Sequence, residues 1–162
     1  MPTLSGAYFD SIENRSPQAL ESFPRAWWFG DFAEGPIEFK GIDATIRHLR
    51  RILETLGPFD GVWGFSQGGA CAAILASLMA DPSQHTVFAA PGANWPPSPL
   101  KFAVICSGFI PLDPMCQALF KKKVPTPSLL VLGKGDTVAG HGQSDHVVVN
   151  HTKCNGYQLL CL

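Results

Sequence analysis

The pentapeptide Gly64-Phe65-Ser66-Gln67-Gly68 constrains this chain more than any other stretch. It is a G-x-S-x-G pattern, and its surroundings are the ones that pattern requires. Phe59 to Phe65 is short and apolar and reads as a strand. Ala70 to Ala80 is rich in Ala and Leu and reads as a helix, stopped by Asp81-Pro82. A strand that becomes a helix within so few residues forces the serine into a strained backbone conformation and projects its hydroxyl outward. In this reading Gly64 and Gly68 leave room where side chains would collide, and Gly69 and Ala70 let the helix approach the sheet. The N–H of Gln67, at the helix start, can donate to an oxyanion, and the helix dipole adds to that field.

A serine nucleophile needs a base and an acid that orients it. On this type of elbow the chain order is Ser, then Asp or Glu, then His. Ser128 to Leu132 reads as a buried strand, and Gly133, Gly135 and Asp136 follow it, so Asp136 is the expected acid. Asp113, in Pro111-Leu112-Asp113-Pro114, is the weaker competitor. His141, His146 and His151 come after Asp136. His151 follows the apolar Val147-Val148-Val149 and stands at a strand end, which makes it the preferred base, with His141 and His146 as alternatives. His48 and His85 precede the acid and read as surface residues. The five-residue spacing of the last three histidines suits no metal cluster, and neither metal nor organic cofactor is expected.

The remaining elements follow from periodicity. Ile42, Ile46, Leu49, Ile52, Leu53 and Leu56 recur at helical spacing, with Arg47, Arg50, Arg51 and Glu54 on the other face. Gly57-Pro58 ends that helix, with Gly57 expected as a left-handed cap. Lys101 to Ser107 is a near-continuous apolar strand of the doubly buried kind. Residues 114–122 read as a short helix, and 146–149 and 157–162 as further short strands. Strands separated by helices imply an α/β fold with a mostly parallel sheet and flanking helices. One domain over 1–162 is expected: an irregular segment 1–40, a core 41–140, and a divergent segment 141–162. Trp27, Trp28 and Phe29 read as core in preference to the lining of an acyl pocket.

Composition removes competing classes. A length of 162 residues suits one domain and falls short of the roughly 250 of a (β/α)₈ barrel. With 46% hydrophobic residues and a net charge of −1, the chain is neither disordered nor drawn to nucleic acid or an acidic membrane. No apolar run reaches the ~20 residues of a spanning helix, and the first twenty residues do not read as a signal peptide. The five cysteines are odd in number and form no C-x-x-C pair, which points to a reducing, cytoplasmic setting.

Four segments together resemble the FSH-type serine hydrolases, a family of α/β-hydrolases widespread in fungi. They are Arg25-Ala26-Trp27-Trp28, Gly64-Phe65-Ser66-Gln67-Gly68-Gly69, Cys106-Ser107-Gly108-Phe109-Ile110-Pro111, and Pro127 to Gly133 with Gly135-Asp136. The resemblance implies an esterase or thioesterase acting through Ser66 and Asp136. It also implies small acyl esters or carrier-protein thioesters as substrates, some of them in polyketide pathways. Against the family pattern, the chain begins after the first strands and the H-G loop that supplies an oxyanion donor, so Gln67 is left as the expected donor. Its His151-Thr152-Lys153-Cys154-Asn155 matches H-x-G-G-H with Asn155 where the family has its base, and the final helix is absent. The expectation is therefore an α/β-hydrolase truncated at both ends, with an exposed sheet edge open to self-association. The rival readings are a catalytically impaired fragment that binds a partner and, more weakly, a flavodoxin-like anion-binding domain.

Overall fold

The computed structural model describes residues 26–31, 38–93, 95–133 and 158–161. Two short strands, β1 (Phe29–Asp31) and β2 (Glu38–Lys40), pair antiparallel. They lie inside the stretch expected to be irregular, and they pair the last residue of the aromatic run at 27–29, Phe29, with Lys40 just downstream.

Helix α1 (Ile42–Leu56) buries Ile42, Ile46, Leu49 and Leu53, the stripe its spacing predicts. Arg50 departs from that prediction, because it is buried with the stripe. Its guanidinium donates to Glu54 at 2.8 and 3.0 Å and to the Val87 carbonyl, and it lies 4.3 Å over the Trp95 ring. A buried cation is tolerated where its donors are met and an aromatic face covers it. Gly57 ends α1, but in extended backbone (φ −73°) and not as a left-handed cap. A Cβ there would lie 2.4 Å from the Leu53 carbonyl oxygen, so space and not a positive φ selects glycine.

Four parallel strands then form a sheet in sequential order: β3 (Gly61–Phe65), β4 (Phe102–Cys106), β5 (Ser128–Leu132) and β6 (Gln158–Cys161). Strand β6 falls in the segment read as divergent and continues the sheet. Between β3 and β4 runs α2 (Gln67–Ala80), in which every residue from Gly69 to Leu78 is buried. A helix apolar all round belongs in a core, and α2 packs on β3 and β4. A 3-10 turn (Pro82–Gln84) and short helices α3 (Thr86–Ala89) and α4 (Pro114–Leu119) complete the described elements, with α4 ending before the predicted residue 122. The predicted strand at 146–149 lies outside the described residues.

Among the described residues β3 has no partner on its far side. Its outward side chains are correspondingly open, with Trp63 67% and Phe65 62% exposed.

Candidate active site

Ser66 is the single residue between β3 and α2. Its backbone sits at φ 52°, ψ −119°, one of two non-glycine residues with positive φ among those described. Such a conformation costs an L-residue about 1–2 kcal/mol, so the surroundings must hold it. They do so from both sides: the Ser66 N–H donates to the Cys106 carbonyl at 2.9 Å, and the Ser66 carbonyl accepts from Ala70 N–H at 3.0 Å.

The glycines around it divide into two kinds. A Cβ on Gly64 would lie 2.0 Å from the Gly68 carbonyl oxygen, and one on Gly69 2.9 Å from the Cys106 carbonyl oxygen and 3.1 Å from Gly108 Cα. Both positions require glycine, Gly64 as the motif predicts and Gly69 as the close approach of helix to sheet predicts. Gly68 does not fit the prediction, since a Cβ there would meet only Trp27 Nε1, at an ordinary 3.8 Å.

Gln67 opens α2, where the first N–H groups have no intrahelical partner. Its N–H is therefore available to a developing oxyanion beside Ser66. The Gln67 side chain is fully engaged elsewhere. Its Oε1 accepts from Trp27 N–H at 2.8 Å and its Nε2 donates to the Trp28 carbonyl at 2.8 Å. The Thr45 hydroxyl donates to the Trp27 carbonyl from the α1 side. The aromatic segment 27–29 is thus strapped between α1 and the elbow.

Trp28 is in the core, as expected, whereas Trp27 is 38% exposed. Trp27 borders two hollows. One, of about 380 Å³, runs beside the elbow between Leu49, Trp63, Phe65, Gly68 and Leu75. The other, of about 570 Å³, lies between Trp28, Phe29, Lys40, Thr45 and His48.

Other candidates resolve by their contacts. Asp113 accepts from the N–H groups of Met115 (2.9 Å) and Cys116 (3.3 Å), so it caps α4. His48 is exposed, as read from sequence. His85 is buried, contrary to that reading: its Nε2 meets Asp43 Oδ1 at 3.1 Å, and its Nδ1 accepts from Val87 N–H at 3.2 Å. Burial pushes the Cys71 and Cys116 thiols up to about 12, which keeps both protonated and unreactive. Among the described residues no three His, Cys, Asp or Glu side chains gather as a metal site, and no helix is long and apolar enough to cross a membrane. The expected acid Asp136 and the candidate bases His141, His146 and His151 lie outside the described residues.

Sequence reasoning assigned no role to Ser107, the second non-glycine residue with positive φ (46°). The available signal was a Ser-Gly pair closing a buried strand, as Ser66 closes β3.

The serine hydrolase (FSH1) family profile matches residues 6–158. An uncharacterized hydrolase of Schizosaccharomyces pombe is 33% identical over 138 residues, 83% of this chain and 30% of that protein. Esterase OVCA2 of Xenopus tropicalis is 30% identical over 141 residues, 82% of this chain and 55% of the esterase. The chain thus spans from under a third to about half the length of these relatives. Among solved structures, Zea mays acyl-protein thioesterase 2 is similar at a TM-score of 0.54 and 21% identity, over 99% of this chain and 80% of that one. That likeness establishes an α/β-hydrolase fold.

Proposed function

The chain belongs to the serine hydrolase (FSH1) family, and from that premise we propose that it cleaves a carboxylic ester or acyl thioester through an acyl-enzyme on Ser66. The observation that carries the reading is the strained Ser66 backbone between β3 and α2, with a free helix-start N–H beside it. In the proposed cycle Ser66 Oγ attacks the carbonyl carbon while a histidine, His151 by preference, takes its proton. Asp136 orients that histidine, and the carbonyl oxygen, now negative, accepts from the Gln67 N–H. Collapse expels the alcohol or thiol, which leaves with the proton. Water then attacks the acyl-enzyme, its proton passing by way of the histidine back to Ser66, and the free acid departs.

An apolar acyl group fits the surroundings, since the hollow beside the elbow is walled by Trp27, Leu49, Trp63, Phe65 and Leu75. The family resemblance extends the proposal to carrier-protein thioesters and fungal polyketide release. The buried or half-buried free thiols of Cys71, Cys106 and Cys116 favour a reducing, cytoplasmic setting. Residues 1–162 are taken to work as one domain.

The decisive experiment is incubation with a fluorophosphonate probe and mapping of the adduct. Stable labelling of Ser66, abolished in Ser66→Ala, supports the proposal, and a folded wild type that takes no label overturns it. Alanine at His141, His146 or His151 then identifies the base by its loss of short-chain aryl ester turnover. If none costs more than about tenfold, the base lies elsewhere.

A second reading draws on the far side of β3, which has no partner among the described residues and where Trp63 and Phe65 are exposed. Such an edge favours pairing with a second copy of the chain. Sedimentation velocity of the wild type against Trp63→Lys tests this, and a wild type that is monomeric throughout removes it.

A further inference from the structure

Two hollows flank Trp27, and among the described residues Trp27 alone lines both. Its indole stands over the elbow: a Cβ on Gly68, two residues beyond Ser66, would lie 3.8 Å from Trp27 Nε1. Its backbone is held at both polar groups, the N–H by Gln67 Oε1 at 2.8 Å and the carbonyl by the Thr45 hydroxyl. On one side, the hollow of about 380 Å³ is walled by apolar groups, among them Leu49, Val62, Phe65 and Leu75. On the other, the hollow of about 570 Å³ has Phe29 and Ala44 in its walls, but also Lys40 and His48.

Local structure explains how two basic side chains reach one hollow. Phe29 and Lys40 are register partners of the β1–β2 pair, so they stand side by side. Gly41 then takes φ 97°, which glycine adopts without steric cost, and the chain passes from β2 into α1 with only that residue between. Ala44 and His48 follow at a four-residue spacing, which stacks them on one face of α1. Lys40 and His48 are both exposed, and among the described residues neither is in an ion pair. The carboxylates of α1 are committed elsewhere, Asp43 to Arg47 and His85, and Glu54 to Arg50. The larger hollow therefore joins uncompensated positive charge to aromatic walls, while the hollow beside the elbow is apolar.

An ester or thioester carries two groups on its reacting carbonyl, the acyl chain and the leaving group. With the apolar hollow taken by the acyl chain, we propose that the Lys40–His48 hollow receives the leaving group and selects one that bears a negative charge, a carboxylate or a phosphate, on an apolar body. The inference rests on the acyl-enzyme reading above. Lys40 gives the anion its counter-charge and His48 offers a ring N–H donor. Trp27, fixed by Gln67 and Thr45, keeps the two groups on separate sides. The chemistry is unchanged: the bond from the carbonyl carbon to oxygen or sulfur breaks, and the leaving atom takes its proton from the base.

The test uses two pairs of butanoyl substrates that differ in leaving-group charge. One sets 3-carboxy-4-nitrophenyl butanoate against its neutral methyl carboxylate, the other butanoyl-coenzyme A against butanoyl-pantetheine. In wild type the anionic member should be favoured about tenfold in kcat/KM at low salt, mostly through KM, and less as NaCl screens the charge. Preference in the aryl pair identifies a carboxylate as the group received and preference in the coenzyme pair a phosphate, and either supports the proposal. Lys40→Gln should bring the ratio to within about twofold of one, and His48→Gln should lower it by less. A wild type that labels at Ser66 with the fluorophosphonate but treats both members of each pair alike overturns the proposal and leaves the acyl-enzyme reading intact. A preference that survives in the Lys40→Gln/His48→Gln double variant also overturns it, since the charge then lies elsewhere. A folded wild type that takes no label rejects the acyl-enzyme reading and this inference with it.

Discussion

Trp27 donates its backbone N–H to the Gln67 side-chain oxygen at 2.8 Å, tying a segment forty residues upstream to the first residue of the helix behind the proposed nucleophile Ser66. The other end of the same amide donates to the Trp28 carbonyl, also at 2.8 Å. One side chain therefore serves as a rung between the 26–29 segment and the residue whose own N–H is the proposed oxyanion donor. Gln67→Ala cuts both bonds and should lower stability by about 1 kcal/mol and kcat by about tenfold. Gln67→Glu should cost more activity than alanine. It keeps an acceptor for Trp27, but it sets a carboxylate against the Trp28 carbonyl and adds negative charge beside a site that must accumulate it. Steady-state kinetics with chemical denaturation checks both, and a glutamate variant as active as wild type refutes the clamp.

The elbow glycines should not be equivalent. Gly64→Ala drives a methyl to 2.0 Å from a backbone oxygen that the helix start cannot move. It should abolish Ser66 labelling and cost on the order of 3 kcal/mol. Gly68→Ala meets only the Trp27 indole nitrogen at 3.8 Å, and alanine is the better helix former by up to about 1 kcal/mol. That variant should be as stable as wild type or slightly more so, with labelling retained. Equal loss of labelling in both would mean that the turn is not built as described.

Gly68 also marks where sequence reasoning reached its limit. The G-x-S-x-G spacing, the strand before it and the helix after it are local, and the β3–Ser66–α2 unit has the form they predict. Strand β5 and helix α1 were legible for the same reason, a periodicity complete within one element. What was misread depends on neighbours distant in sequence. Arg50 sits on the nominally polar side of α1, but Val87, Glu54 and Trp95 enclose it. His85 reads as a loop histidine until Asp43, forty-two residues away, covers its ring. Ser107 offered only a Ser-Gly pair closing a buried strand, because its interest lies in standing next to Ser66 on the neighbouring strand. The acid and base were read from chain order and from their places after expected strands, which fix sequence and not distance.

His85 provides a control for the search for the base. Its Nδ1 accepts from Val87 N–H, so the ring proton lies on Nε2 and points at Asp43 Oδ1. This is the arrangement of an orienting acid and a histidine, yet it caps a short helix and joins it to α1. His85→Ala should therefore destabilise by about 1–2 kcal/mol and leave the labelling rate at Ser66 unchanged. Asp43→Asn keeps an acceptor for Nε2–H and should change stability by less than about 0.5 kcal/mol. A His85→Ala enzyme that is folded but unlabelled would place the base here and remove His151.

Alkaline pH should weaken the fold through two thiols. Burial raises Cys71 from an ordinary 9.0 to about 12, and burial, with smaller contributions from Asp113 and Cys71, does the same for Cys116. Below pH 9 both states hold these protons, and the thiols add no pH dependence. Between about 9 and 12 the unfolded chain has released protons that the folded chain keeps. The unfolded state then binds fewer protons, and stability falls as pH rises. Cys71→Ala removes one such group at the expense of a small cavity, so it should be less stable than wild type at pH 7.5 by about 1 kcal/mol. Wild type should lose roughly 2 kcal/mol relative to the variant on reaching pH 10.5, so that the order of stability reverses, because only wild type still carries the titrating thiol. Urea unfolding under reducing conditions across this range measures it. A gap that stays constant with pH would mean that the Cys71 thiol ionises as readily in the folded protein as in the unfolded chain.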